Sequence, residues 1–443
     1  MTTSASAYGI RLIVNSALWL TVAGIVVRSC GAIREIIFAS FFGVSKDTDA
    51  FFLALTYATF VPLILASALS TSLVTQLANM SRGAALPRGG GLLDLMQKIC
   101  IAALVAGLGI YFFAPLALPL LFNLEDAELE KAVLYSRILA PLGLTMTLSA
   151  SLDALLNSAK RFFIAGITSA ATPLTMIVAV VYFGEPWGIQ AAAWGMTAGG
   201  VFEVFILVGV IFLQRRALFS DTTVASVAPG NVAFWRSVAF LAFSAAIAAV
   251  SPVVDQIFLS RLETGAISSF NYASKVNGLL IGLFGTAFGV AIYPYLSDLA
   301  AQRDHAGLKH LAWRITALVV PITVVASGLV FFFSYEIVDL LFARGNFTAA
   351  DTLTVGYIQR IFAFQLTFYV AGLVAMRILN AVGAADSVFW ISCIGMTLNA
   401  LFDWLFYTSM GAGGIAMSSV LTSVASLLFA LLFIRAALKN RPA

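Results

Sequence analysis

Charged side chains set within long apolar stretches are the residues of this chain whose chemistry asks for an explanation. Arg28, Arg34 and Glu35 fall in one apolar run near the N-terminus, Lys275 in Asn271-Tyr-Ala-Ser-Lys275, and Arg377 in a later run. A guanidinium presents a planar fork of donors that suits phosphate or pyrophosphate. Arg28 and Arg34 therefore read as a cationic wall for an anionic headgroup. Arg28 and Glu35 are seven residues apart, two helical turns, and share a helix face. The plainer reading is an internal Arg–Glu pair that pins the helix. Lys275 either adds to the same wall or snorkels toward an interface. Arg137 and Arg360 lie near the starts of their runs, where interface anchoring or a structural pair is the simpler role.

A second group is made of oxygen ligands. Asn399 and Asp403 are four apart, on one helix face. Asp255 follows Pro252 by three residues, where a kink can free backbone carbonyls. Ser419 and neighbouring small residues follow Gly411-Ala-Gly-Gly414. Carboxylates, an amide oxygen, a hydroxyl and a carbonyl are hard ligands for Na⁺, and a carboxylate can instead carry H⁺. The alternative is a buried, hydrogen-bonded polar patch with no ion.

The elements that must position these groups are membrane helices. Of 443 residues 61% are hydrophobic and only 10% charged, with a mean hydropathy of +0.98. A soluble domain is about one quarter charged. Apolar runs of roughly 20 residues, the length of a bilayer span, recur along the chain. Helices are the default because every backbone polar group must be paired in hydrocarbon, and the short alternating segments of a β-barrel are absent. A lipid-facing charge costs about 2.5–3.5 kcal/mol or more, so the embedded charges should face the protein interior, a wet cavity or one another. The spacing predicts twelve spans, near 10–40, 49–78, 93–122, 129–158, 163–183, 188–214, 233–260, 266–297, 310–335, 352–380, 385–408 and 412–436. The first could pass for a signal peptide, but it runs on through Arg28 and Arg34 without a small-residue cleavage site and is expected to stay.

The polar stretch 215–232 has linker chemistry and divides the chain into lobes 1–214 and 233–443. The lobes resemble each other. Glu35-Ile-Ile-Phe-Ala-Ser40 returns as Asp255-Gln-Ile-Phe-Leu-Ser260 and Leu121-Phe122 as Leu341-Phe342, both shifted by 220. Arg137-Ile138 returns as Arg360-Ile361 and Leu156-Asn157 as Leu379-Asn380, both shifted by 223. An even number of spans per repeat implies parallel repeats, a recurrent transporter plan. Most Lys and Arg outside the spans, among them Arg82, Arg88, Lys160, Arg161, Arg215, Arg216, Arg303 and Arg441, fall on one side; Lys46, Lys131, Arg261 and Arg344 fall on the other. The positive-inside rule then places both termini in the cytoplasm.

Several function classes lack their signatures. No glycine loop with Lys-Ser/Thr is present for ATP, and Gly89-Gly-Gly91 reads as a flexible connection. The two histidines, His305 and His310, share one loop, and Cys30, Cys100 and Cys393 are far apart, so neither zinc nor a disulfide framework is expected. The basic loops read as topology signals rather than nucleic-acid contacts.

Arg28-Ser-Cys-Gly-Ala-Ile-Arg34-Glu35, then Phe42-Gly43 and Asp49-Ala-Phe-Phe52, resembles the first-helix pattern of the MurJ/MviN lipid II flippases, within the multidrug/oligosaccharidyl-lipid/polysaccharide exporter superfamily. Leu341-Phe-Ala-Arg-Gly-Asn-Phe-Thr348, Leu156-Asn157 with Arg161-Phe162, Ala193-Trp194 to Gly200, and Asn271 to Lys275 add to the resemblance. It implies an all-α integral membrane fold of two pseudo-symmetric six-helix bundles in a V, around a cationic cavity. The family's cavity cations map onto Arg28, Arg34 and Lys275, and Asp49 matches the acid that closes its first loop. Its sodium site maps onto Asp255, Asn399, Asp403, the carbonyl of Ile415 and Ser419. The sequence departs from the pattern in the second helix: Ala58-Thr59, Pro62-Leu63 and Ser67-Ala68 stand where the family has Pro-Asn, two arginines and Glu-Gly. The family usually has fourteen spans, and twelve are read here.

The expectation is a bacterial inner-membrane flippase, not an enzyme, working as a monomer among membrane lipids by alternating access coupled to Na⁺ or H⁺. Arg28, Arg34, Glu35, Asp49, Lys275 and Arg377 would bind an undecaprenyl-(pyro)phosphate-linked saccharide, either lipid II or an exopolysaccharide or surface-glycan precursor. Polysaccharide or peptidoglycan synthesis enzymes would be its partners. Two other readings are a multidrug exporter, which predicts an acidic aromatic cavity, and a non-transporting scaffold, which would tolerate loss of the embedded charges.

Overall fold

The computed structural model describes residues 23–81, 86–87, 90–220, 232–302 and 305–439. Arg82, Arg88, Arg303 and Arg441, which entered the orientation argument, lie outside these. The described chain is helical apart from two two-residue strands. Helix α1 covers 23–42 and is followed by α2 (Lys46–Ser81), β1 (Leu86–Pro87), α3 (Gly90–Leu121), α4 (Asp126–Ser158), α5 (Phe162–Thr168), α6 (Ala171–Trp187), α7 (Gln190–Leu213), α8 (Arg215–Leu218) and β2 (Phe219–Ser220). Then come α9 (Val232–Leu259), α10 (Ala266–Ala301), α11 (His305–Phe332), α12 (Ser334–Phe342), α13 (Ala349–Ala381), α14 (Ala385–Met410) and α15 (Ala412–Lys439). Among the described residues ten helical stretches are long and apolar enough to cross a membrane; the chain is a multi-pass membrane protein.

Three local readings change. Gly90 and Gly91 open α3 rather than forming a loop. The span expected at 163–183 is two helices, α5 and α6, broken after Thr168, whose hydroxyl, like that of Ser169, turns back onto the preceding turn's carbonyls. The linker begins structured: α8 continues from α7, and Phe219-Ser220 pairs in parallel with Leu86-Pro87.

Contacts divide the chain into two compact units, one of residues 1–41 and 53–249, the other of 42–52 and 250–443. The first has a buried cluster where Leu69, Leu73 and Leu77 of α2 meet Leu95 and Ile99 of α3, Leu155 of α4 and Phe234 and Val238 of α9. The second is centred on α13, which packs Leu366 and Val370 against Val319 of α11, and Ala375 and Leu379 against Ile391 of α14 and Ala430 of α15.

The internal repeat extends to the helix boundaries. Helix α2 (46–81) maps onto α10 (266–301) with an offset of 220, and α4 (126–158) onto α13 (349–381) with an offset of 223. The capping box that opens α4, Glu125 with Glu128, returns at α13 as Thr348 with Asp351. Lys160, with φ of 61°, returns as Gly383 at 71°. The change of offset falls in one place: the turn 122–125 becomes the longer turn 343–348, which contains Arg344-Gly345. Helix α12 had no sequence signal of its own, because it is too short for a span.

Each repeat also ends its fifth span on a glycine that no other residue can replace cheaply. Gly188 has φ 58° and ψ −145°, and Gly411 has φ 57° and ψ −138°. Both positions are open to a Cβ, so Gly188→Ala or Gly411→Ala is expected to cost about 1–3 kcal/mol through backbone strain alone. Thermal unfolding of the purified protein in detergent checks this, with Gly209→Ala, in open space at ordinary φ, as the neutral control.

Candidate functional site

Within the second unit, α9, α14 and α15 bring a polar group together in apolar surroundings. Pro252 lies inside α9 three residues before Asp255. Helices α14 and α15 meet in a tight hairpin. A Cβ on Gly414 would strike the Phe406 carbonyl, and one on Gly413 would come within 2.6 Å of the Tyr357 ring. That close approach sets the Asn399–Asp403 face of α14 against α15. Asn399 Nδ2 donates to Asp255 Oδ1 at 3.1 Å, and Ser418 Oγ donates to the Asn399 carbonyl at 3.0 Å. Asp403 is fully buried, and neither of its carboxylate oxygens has a hydrogen-bond donor; Asn399 Oδ1 also has none. Ile415 is fully buried on α15.

Three buried acceptor oxygens without donors are a costly arrangement, since an unpartnered buried polar group costs about 1–3 kcal/mol and a charged one more. The repeat shows that the fold does not require it. Asn399 and Asp403 correspond, at the offset of 223, to Met176 and Val180, which are 3% and 1% exposed and pack as core. The donor set of hard oxygens fits a monovalent cation. Among the described residues no cluster of three or more His, Cys, Asp or Glu is present.

Asp255, Asn399 and Asp403 come together. Ser418 rather than Ser419 bonds to Asn399; the Ser419 carbonyl accepts from Gln365 Nε2 at 3.3 Å and from Ser423 Oγ at 2.8 Å. Gln365 also accepts from Asn277 Nδ2 at 2.6 Å. Gln365 and Asn277 are neutral and far apart in sequence, so their pairing has no signature in spacing. An amide within Phe362-Ala-Phe-Gln-Leu-Thr-Phe368 was the available signal.

The candidate headgroup residues fall in both units. On α1, Arg34 Nη2 donates to Glu35 Oε1, so Glu35 is paired with its neighbour in sequence. Glu35 is buried, and Arg34 Nε is buried without an acceptor. Arg28 is half-buried on the same helix. In the second unit Lys275 is half-buried on α10, and Arg377 is exposed near the end of α13.

Asp49, expected among the headgroup residues, has a different place. Its Oδ2 accepts from the Gly265 amide at 2.6 Å and its Oδ1 from the Ser268 amide at 2.7 Å. It caps the N-terminus of α10. The equivalent helix of the first repeat, α2, is capped locally by Ser45 Oγ, which accepts from the Thr48 amide at 3.2 Å. The counterpart of Ser45 is Gly265, which has no side chain to offer, so the carboxylate reaches it from α2.

The recognisable motifs gather around this cap. Tyr272 is fully buried; its hydroxyl donates to the Gly43 carbonyl at 3.0 Å. Its ring meets Phe52, Phe342 and Phe347 at centroid distances of 5.7, 5.4 and 5.6 Å. Gly43, at φ 56°, abuts the Asn346 backbone so closely that a Cβ would collide. Phe42-Gly43, Asp49 to Phe52, Asn271 to Lys275 and Leu341 to Thr348 thus form one structural knot. Arg137 and Arg360 also have parallel roles: Arg137 lies over the Tyr111 ring at 5.3 Å and Arg360 over Phe331 at 4.2 Å, equivalent ring positions at the offset of 220.

Comparison with known proteins follows the same lines. Residues 38–442 match the sequence model of the family described as Lipid II flippase MurJ. A "Probable lipid II flippase MurJ" of Synechocystis sp. is 26% identical over 438 residues, covering 93% of this chain and 79% of the relative. That of Thermotoga maritima is 24% identical over 408 residues, covering 91% and 81%. Among solved structures, "Lipid II flippase MurJ, inward closed conformation" is similar at a TM-score of 0.79 and 21% identity, covering 94% of this chain and 87% of that one. A MATE family transporter of the MOP superfamily, in an inward-facing conformation, is similar at a TM-score of 0.72 and 13% identity, covering 96% and 100%.

Proposed function

Since the chain belongs to the MurJ lipid II flippase family, we propose that it translocates an undecaprenyl-(pyro)phosphate-linked saccharide across the bacterial inner membrane. The observation that carries this reading is the pair of guanidinium groups, Arg28 and Arg34, on a membrane-embedded helix where Glu35 is the one acid of 23–42. Such a helix keeps a net positive charge suited to a lipid phosphate. Lys275 adds a half-buried cation from the second unit. Arg377, exposed near a helix end, is a contact for the headgroup at its point of entry.

The second helix bears on the cargo. Ala58, Thr59, Pro62, Leu63, Ser67 and Ala68 give α2 no charge at these positions, which favours an exopolysaccharide or surface-glycan precursor. The relatives' printed names favour lipid II equally. Rescue of a strain depleted of its lipid II flippase separates the two: growth identifies lipid II as cargo.

Asp255, Asn399 and Asp403, with Ser419 and the Ile415 carbonyl of α15, would hold a coupling cation, Na⁺ or H⁺. Its chemistry would be neutralisation of the buried carboxylates. It would bias transport by its difference in affinity between two conformations. The proposal includes twelve spans, the ten apolar stretches with α1 and α10 added, and cytoplasmic termini. It also includes a monomer acting beside the enzymes that make or consume the lipid-linked glycan.

Native mass spectrometry with undecaprenyl pyrophosphate tests the headgroup assignment. Arg28→Ala and Arg34→Ala are expected to weaken binding at least about tenfold, the equivalent of 1.4 kcal/mol. Equal binding by both variants would remove these residues from the site. Binding of lipophilic cations in place of the pyrophosphate would favour a drug exporter, and no lipid binding at all would favour a scaffold.

A further inference from the structure

The first unit contains a half-buried acidic pair that the headgroup and C-terminal sites do not use. Asp153 of α4 and Glu203 of α7 are close enough to interact through their charges. Thr172 of α6 donates from Oγ1 to Glu203 Oε2 at 3.3 Å. The position is built by close helix packing. A Cβ on Gly199, one turn before Glu203, would come within 2.6 Å of the Thr172 Cα, so α6 and α7 touch backbone to backbone here. Asp153 Oδ1 is buried without a donor. Ser149, one turn before Asp153 on the same face of α4, is 6% exposed, and its hydroxyl has no partner.

The repeat again shows that the fold does not ask for these groups. Asp153, Glu203 and Thr172 correspond at the offset of 223 to Met376, Ser426 and Gly395. The correspondence is spatial as well as numerical, because a Cβ on Gly395 would meet Ser426 Oγ at 3.2 Å. The second repeat makes the same helix contact without a carboxylate. Two carboxylates at this depth of a membrane protein need a compensating positive charge. On α4 itself Lys131 and Arg137 lie 22 and 16 residues before Asp153, more than four helical turns away, and among the described residues the neighbouring helices α3 and α5 to α8 do not provide one. On α3, Asp94 and Lys98 pair with each other on an exposed face at 2.8 Å. Lys160 and Arg161 beyond α4 and Arg215 and Arg216 of α8 are exposed. Tyr182 and Glu185 lie at the other end of α6 from Thr172, and α5 carries no titratable group.

We propose that Asp153, Glu203, Thr172 and Ser149 form a monovalent-cation site within the first repeat, separate from the Asp255–Asn399–Asp403 group. Two carboxylates and two hydroxyls give hard oxygen ligands for Na⁺, and the same carboxylates can share a proton; both ligands deliver a single positive charge. The test uses the full-length protein with Asp403→Val, which disables the other group, so the outcome does not depend on whether that group binds an ion. Thermal stability is titrated with Na⁺ against choline, and the carboxylic-acid infrared band is followed with pH. The expected result is that Glu203→Gln and Asp153→Asn abolish one of these responses. Loss of the Na⁺ response identifies sodium, and loss of the pH-dependent band identifies the proton. Ser149→Ala, a mild change, is expected to weaken the same response several-fold, and it keeps the test valid if a carboxylate variant fails to fold. Responses unchanged by Glu203→Gln and Ser149→Ala overturn the proposal.

Discussion

Asp49→Ala is expected to lower the stability of the second unit by about 2–4 kcal/mol. The carboxylate accepts from two backbone amides, at Gly265 and Ser268, and is itself 5% exposed. Leaving a buried donor without an acceptor costs about 1–3 kcal/mol, and removal of a helix N-cap typically costs about 0.5–2 kcal/mol. Water cannot readily replace the lost acceptor, because Ala50, Phe51 and Phe52 beside it and Ile267 and Phe270 of the capped helix are all buried. The measurement is thermal unfolding in detergent, where the midpoint should fall by several degrees. Asp49→Asn keeps one acceptor oxygen and should recover about half of the loss. A second variant isolates the cause: Gly265→Ser restores a local cap at the position where the first repeat has Ser45. Because Gly265 has φ 90°, that serine is strained, and it should rescue Asp49→Ala only weakly. An unchanged midpoint in Asp49→Ala would show that the cap is not what fixes α10.

The second large effect concerns Asp403. Asp403→Val places there the residue type that the first repeat has at the equivalent position, Val180. The carboxylate is fully buried and has no hydrogen-bond donor. Burying an uncompensated ion costs roughly several kcal/mol of lost hydration, and a packed valine of similar size removes that cost. The variant is therefore expected to be at least as stable as the parent in sodium-free buffer. Its stabilisation by sodium should shrink, since a ligand at a hundred times its dissociation constant adds about 2.7 kcal/mol. A purely structural Asp403 predicts the opposite: a less stable variant with an unchanged sodium response. Unfolding curves in Na⁺ and in choline separate the two.

Much of the architecture was legible because hydrocarbon leaves few choices. Apolar runs gave nearly every span within a few residues, and the repeat could be read from short matches such as Leu156-Asn157 and Leu379-Asn380. The local departures had local causes. The break between α5 and α6 depends on hydroxyls that bond back to their own helix, and these leave no trace in hydropathy. Helix α12 is short and mixed in polarity. The three-residue change of offset lies in a turn where no periodicity exists to be counted.

The sites were legible to a lesser degree, and the reason is physical. Embedded charges can be found by inspection, but their partners depend on helix rotation. Arg28 and Glu35 share a face by spacing, but the pair of Glu35 with Arg34, its neighbour in sequence, follows from no such spacing. Asp49 resembles a binding residue in sequence because it is an acid at the end of a loop; its function as a cap depends on Gly265, 216 residues away. Ser418 and Ser419 are adjacent, and only the packing of α15 against α14 decides which meets Asn399. Neutral polar groups, Gln365 and Asn277 among them, carry as much of the buried network as the charges do. The internal repeat supplied what spacing lacked: where one copy has an acid or an amide and the other Met176, Val180 or Met376, the fold itself is satisfied without the polar group.

The most direct test is transbilayer movement of a fluorescent undecaprenyl-pyrophosphate-linked saccharide in proteoliposomes, with access of an external lectin or quencher to the sugar as the readout. The account predicts movement that requires the protein, falls at least about tenfold, 1.4 kcal/mol in barrier, in Arg28→Ala and Arg34→Ala, and persists in Gly209→Ala. Liposomes that move the lipid equally with and without the protein, or variants that match the parent, would contradict it.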